Sequence, residues 1–111
     1  VVLVARCQDG IGSSDFWELL TSAPTPEGVM ERIAKGYKLG YHKAAKRAEM
    51  VAAGGRVRMV SEIPGEKLAK GFVVGHATLQ EAVDAAVAED GCKTITVMPE
   101  GNNTVPVVEG C

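Results

Sequence analysis

The sequence predicts an α/β fold: a small three-layer, Rossmann-like domain on a mostly parallel sheet of about four strands. Three observations carry that expectation. Apolar runs of strand length alternate with segments of helical periodicity. Glycine or proline marks most of the boundaries between them. Strand, helix, strand alternation in turn implies right-handed crossovers, which lay helices over both faces of a parallel sheet.

Val1-Val2-Leu3-Val4-Ala5 shows no alternation, as expected of a strand buried on both faces. Cys7-Gln8-Asp9-Gly10-Ile11-Gly12-Ser13-Ser14 then supplies a glycine turn, with Ser13 or Ser14 capping a helix that carries Phe16, Trp17, Leu19 and Leu20. Thr25-Pro26-Glu27 signals a second short helix, with a capping hydroxyl, proline at the first helical position and Val29, Met30 and Ile33 as its buried stripe. Gly36 and Gly40 bracket a break, after which Ala44, Ala45, Ala48, Val51 and Ala52 recur at helical spacing until Gly54-Gly55.

Arg56 to Ser61, with Val57, Met59 and Val60, reads as a second strand. Pro64 opens a single-turn helix ending at Gly71, and Phe72-Val73-Val74 is a short third strand. Thr78 and Glu81 match a capping box, ahead of an apolar face formed by Leu79, Ala82, Val83, Ala86 and Val87. Thr94-Ile95-Thr96-Val97-Met98 is expected to be a fourth strand, and Pro99 to Asn103 a loop. Val105-Pro106-Val107-Val108 reads as a proline-marked edge segment or an extended tail.

With 111 residues, the chain suits a single domain spanning 1–111. Hydrophobic residues at 46% and charged residues at 23% exclude disorder and fibrous repeats. No apolar run approaches the roughly 20 residues that cross a bilayer, so no membrane partner is expected. The scattered Cys7, Cys92 and Cys111 suit free thiols in a reducing cytoplasm. Because the chain opens without Met inside an apolar strand, it is expected to be cut from a longer protein whose missing part precedes Val1.

Net charge is −2, yet six basic residues face the single acid Glu31 between positions 31 and 47: Arg32, Lys35, Lys38, Lys43, Lys46 and Arg47. Such segregation serves either an anionic partner or a solvated helix face. Lys43, Lys46 and Arg47 share a helix face with no aromatic between them to stack a base, so no nucleic-acid partner is expected.

The turn Asp9-Gly10-Ile11-Gly12-Ser13 follows a strand and opens a helix, where backbone N–H groups can cradle a phosphate or carboxylate. The third glycine of a dinucleotide fingerprint falls at Asp15, and no P-loop lysine is present, so the same glycines also read as a plain tight turn. Cys7, at a strand end, is either a reactive thiol or a small core residue. Tyr41 and His42 open the alanine-rich helix, where a histidine can bind a carboxylate or give up a proton, or simply face solvent. His76 has no partner at ligand spacing, and no metal site is expected from this chain alone.

The strand into Cys7-Gln8-Asp9-Gly10-Ile11-Gly12 followed by Phe16 resembles the C-terminal domain of the nickel-dependent lactate racemases. Later landmarks keep the same order: Gly40-Tyr41-His42-Lys43-Ala44, Val57-Arg58-Met59-Val60-Ser61, Gly71-Phe72, Leu79-Gln80-Glu81-Ala82 and Val97-Met98-Pro99-Glu100-Gly101. The resemblance implies a 2-hydroxyacid racemase or epimerase using a nickel-pincer nucleotide, which takes the α-hydrogen as hydride and returns it to either face. It also implies that the acid and base histidines, the cofactor-bearing lysine and the nickel histidine lie in the N-terminal part, so no catalytic residue is carried onto this chain.

Closing the cleft and completing the substrate pocket would then be this domain's task, with Asp9, Gly10, Gly12, Ser13, Tyr41 and His42 as the pocket candidates. The implied partners are the N-terminal domain of the same protein and a small 2-hydroxyacid, and a homo-oligomer is compatible. Ile11, and Tyr41-His42, stand where some members carry histidine and tryptophan, which leaves the particular hydroxyacid open. The alternatives are a freestanding anion- or nucleotide-binding module and a non-catalytic oligomerisation domain.

Overall fold

In the computed structural model, the described residues are 1–12, 14–36, 41–107 and 109. Three parallel strands, β1 (Val2–Val4), β2 (Val57–Val60) and β3 (Val73–His76), pair in the order β1-β2-β3. Between β1 and β2 lie α1 (Ser14–Leu20), α2 (Pro26–Lys35) and α3 (Tyr41–Ala52). Helix α4 (Gly65–Lys70) joins β2 to β3, α5 (Leu79–Glu89) follows β3, and a single 3-10 turn covers Gly101–Asn103.

The register decides which helix covers which face. Val2, Arg58 and Val74 are paired across the sheet, as are Val4, Val60 and His76, so period-two alternation puts all six on one face. Arg58 on that face reaches the end of α5. Leu3, Met59 and Gly75 share the other face, and a β-carbon at Gly75 would lie 3.0 Å from the Cα of Gly65 in α4. Helices α4 and α5 therefore lie on opposite faces, which is the three-layer arrangement expected of an α/β domain.

Three expectations are corrected. The sheet has three strands among the described residues, because Thr94 to Met98 joins no ladder and exposes Ile95, Val97 and Met98. Strand β1 is not buried on both faces: among the described residues it pairs with β2 alone, and as an edge strand leaves Leu3 at 47% and Val4 at 62% exposure. The third strand starts one residue later and runs further, ending at His76. Val105, Pro106 and Val107 form an exposed stretch outside any strand, and Val108 lies outside the described residues.

The densest core is helical. Leu19, Leu20, Val29, Ala44 and Ala48 are buried together, with Phe16, Trp17, Met30, Ile33, Tyr41 and Phe72 packed around them. Ala44 and Ala48 stand one turn apart on α3 and are wholly buried, so α3 closes on α1 and α2 without bulk between the backbones. Thr25 starts α2 as expected, its hydroxyl accepting from the Gly28 amide at 3.2 Å ahead of Pro26.

Candidate functional site

Parallel α/β sheets bind ligands beyond the carboxyl ends of their strands. At that end of β1 the ladder continues past the strand, with Ala5 N–H donating to the Val60 carbonyl and Glu62 N–H to that of Arg6. The Arg6 side chain adds an exposed ion pair to Glu62 at 2.8 Å, so the loops after β1 and β2 are tied together. In the first loop, Gly10 N–H closes a turn on the Cys7 carbonyl at 3.0 Å.

That turn requires left-handed backbone at Cys7 (φ 54°), Gly10 (φ 82°) and Gly12 (φ 88°). Among the described residues no heavy atom would lie within 4 Å of a β-carbon at Gly10 or Gly12, so the backbone there is open on that side. Asp9 is exposed beside it, and Ser13 lies outside the described residues. Cys7 and Cys92 are free thiols.

Tyr41 and His42 are the first two residues of α3, the helix that precedes β2 and packs on α1 and α2. His42 is exposed, whereas Tyr41 packs on the helical core and lines a cavity of about 490 Å³ walled by α1, α2 and α3. Asp9, Gly10, Gly12 and His42 are not among the residues that line that cavity, so of the five described pocket candidates it takes in Tyr41 alone.

A second constellation was not anticipated. Arg58 on β2 is 3% exposed and fully engaged. Its Nε donates to Asp90 Oδ2 at 3.0 Å, its Nη2 to Asp90 Oδ1 at 2.9 Å and to Glu89 Oε2 at 2.8 Å. Its Nη1 lies 3.2 Å from His76 Nε2. A guanidinium can only donate, so Nε2 is the accepting partner in this contact.

The hydrogen bonds that Arg58 donates to Asp90 and then to Glu89 raise its pKa, against the opposing effect of burial. Asp90 is held below the usual carboxylate range by the Arg58 hydrogen bond first, opposed by burial and reinforced by Arg56 at 3.0 Å. The group is saturated, which suits clamping α5 to the sheet and leaves little capacity for a substrate. The sequence does carry a signal: an arginine between Val57 and Met59 in a buried strand needs a partner. Its partners lie more than thirty residues away in sequence, at the far end of a helix.

Arg47, expected on a shared basic face, instead turns inward. Its Nη2 donates to the carbonyl of Phe72, a residue in the left-handed region at φ 61°, while Nη1 is buried with no partner among the described residues. Burial lowers its pKa. Among the described residues no three His, Cys, Asp or Glu side chains are grouped as a metal ion needs, and no helix is long and apolar enough to cross a membrane.

No protein-family model and no curated relative match the chain. Among solved structures, the lactate racemase apoprotein from Thermoanaerobacterium thermosaccharolyticum shares its fold, with a TM-score of 0.68 at 21% identity. The match covers 80% of this chain and 23% of that one, so this chain spans about a quarter of that protein's length.

Proposed function

We propose that this chain is the C-terminal, substrate-side domain of a 2-hydroxyacid racemase or epimerase. The observation that carries the reading is the fold shared with a lactate racemase over 80% of this chain but only 23% of that protein. The ordered landmarks from the Cys7 to Gly12 turn to the Met98-Pro99-Glu100-Gly101 loop support it, since they resemble the same enzymes.

In this reading the carboxyl end of the sheet faces the cleft of a longer protein. The open backbone at Gly10 and Gly12 offers N–H groups to the substrate's carboxylate. His42, exposed at the start of α3, donates a hydrogen bond that orients the hydroxyacid. Closure of the domain excludes water from the reacting carbon and completes the pocket. The residues present do not fit the family's nickel, for the described residues offer no ligand group for a metal ion. Cofactor, acid and base are accordingly assigned to the remainder of the longer protein.

The test is interconversion of D- and L-lactate, and of a panel of other 2-hydroxyacids, followed by chiral chromatography. The chain alone is expected to give no turnover, and the longer protein that contains it to give cofactor-dependent turnover with a raised KM in His42→Ala. Racemisation by the isolated chain, or a longer protein inert toward every 2-hydroxyacid, would overturn the reading.

A further inference from the structure

The cavity between α1, α2 and α3 has a chemistry that the racemase reading does not use. Its volume of about 490 Å³ lies within the roughly 300 to 1,000 Å³ of small-molecule sites. Leu19 contributes an apolar patch, Glu18 and Ser22 line it from α1 and the turn beyond, Arg32 and Lys35 from α2, and Tyr41 from α3.

Two cations of the basic stretch, Arg32 and Lys35, line it. Of the cations in that basic stretch, Lys46 is paired with Glu49 at 3.4 Å and Arg47 is spent on the Phe72 carbonyl. Among the described residues, Arg32 and Lys35 have no hydrogen-bond or ion-pair partner. A place in the last turn of α2 suits both to the helix dipole, but that does not account for their meeting Tyr41 and Ser22 around one concavity.

The remaining polar groups narrow the ligand. Ser22 Oγ already donates its proton to the Leu19 carbonyl at 2.6 Å, so toward the cavity it can only accept. The Glu18 carboxylate offers acceptors as well. Two cationic donors beside two acceptors match a small molecule with at least two negative charges and a hydroxyl group.

We propose that this cavity binds a small hydroxylated polyanion, a hydroxydicarboxylate or a polyol phosphate, held by Arg32 and Lys35 with Glu18 and Ser22 accepting from its hydroxyl. The site is independent of the racemase assignment and stands or falls without it.

Titrations of the 111-residue chain with malate and with glycerol 3-phosphate, followed by amide NMR at constant ionic strength, test it. Succinate, which lacks the hydroxyl, and lactate, which carries a single charge, serve as comparators. Saturable shifts at Ser22, Gly36 and Tyr41, with a millimolar dissociation constant in either the carboxylate or the phosphate arm, are the expected result. Arg32→Gln and Lys35→Gln should each weaken binding roughly fivefold to tenfold, whereas Arg32→Lys should retain most of it and Lys67→Gln all of it.

Glu18→Gln should reduce the preference for malate over succinate. Linear shifts without saturation in both arms overturn the site, as does Lys67→Gln weakening binding as much as Arg32→Gln. Equal affinity for lactate and malate overturns the requirement for two charges.

Discussion

Arg58 and Asp90 form a two-pronged ion pair, Nε to Oδ2 at 3.0 Å and Nη2 to Oδ1 at 2.9 Å, between the second strand and the residue that ends α5. The partners are unequally placed. The arginine side chain is 4% exposed and cannot be rehydrated without moving α5, whereas Asp90 is 20% exposed and keeps Arg56 as a second partner. Removing the carboxylate leaves a buried cation with Glu89 as its remaining acid; removing the arginine leaves a carboxylate that is still paired. Asp90→Asn is therefore expected to lower the melting midpoint by several degrees, and Arg58→Met by clearly less. Thermal denaturation of the two variants side by side checks the order, and the reverse order would sink it.

The same pair sets a dependence on acidity. Asp90 has a folded pKa below its ordinary value, chiefly through the Arg58 hydrogen bond, with burial opposing and Arg56 assisting. A depressed carboxylate contributes stability that is fully present above its unfolded pKa, about 3.9, and is lost as pH falls through the lower folded value. Urea midpoints of the wild-type chain should fall between about pH 5 and about pH 2, and fall less steeply in Asp90→Asn. Identical slopes in the two chains would remove Asp90 from the acid response.

Thr78 caps α5, its hydroxyl accepting from the Glu81 amide at 3.2 Å. The reciprocal bond of the capping box is displaced by one residue: Glu81 Oε2 accepts from Ala77 N–H at 3.2 Å rather than from the cap itself. Each side chain still satisfies one amide. Thr78→Ala is expected to cost about 1 kcal/mol in urea unfolding, and Thr78→Ser a few tenths or less. A Thr78→Ser loss as large as that of Thr78→Ala would point to the methyl group instead of the cap.

What was legible in the sequence followed from how local each cause is. The Thr25 and Thr78 caps, the alanine stripe of α3 and the Gly10 turn depend on residues a few positions apart, and the structure holds each of them. The exposure of β1 and the unpaired state of Thr94 to Met98 depend on which strands become neighbours, and an apolar run reads alike at an edge and at a centre. The Arg58 network depends on tertiary placement too, because its acid partners lie more than thirty residues away at the end of α5. The split of the pocket candidates also came from tertiary placement, since Tyr41 turns toward α1 and α2 while the Asp9 to Gly12 turn opens to solvent.

Two glycines required for different reasons give the last contrast. Gly71 has an ordinary φ of −99°, but a β-carbon there would lie 2.5 and 2.6 Å from Cζ3 and Cη2 of Trp17 and 3.3 Å from Leu20 Cδ2. The tryptophan ring packs against the helical core, so Gly71→Ala must push the ring or the start of β3 aside, at about 1 to 3 kcal/mol. Gly10 meets nothing within 4 Å, and Gly10→Ala is opposed only by a φ of 82°, which costs about 1 kcal/mol. Trp17 is the single tryptophan, so its fluorescence separates the two causes. Gly71→Ala should shift the native emission maximum as well as the urea midpoint, whereas Gly10→Ala should move the midpoint alone. An unchanged Trp17 spectrum in Gly71→Ala, with unchanged stability, would show that the ring is not held against Gly71.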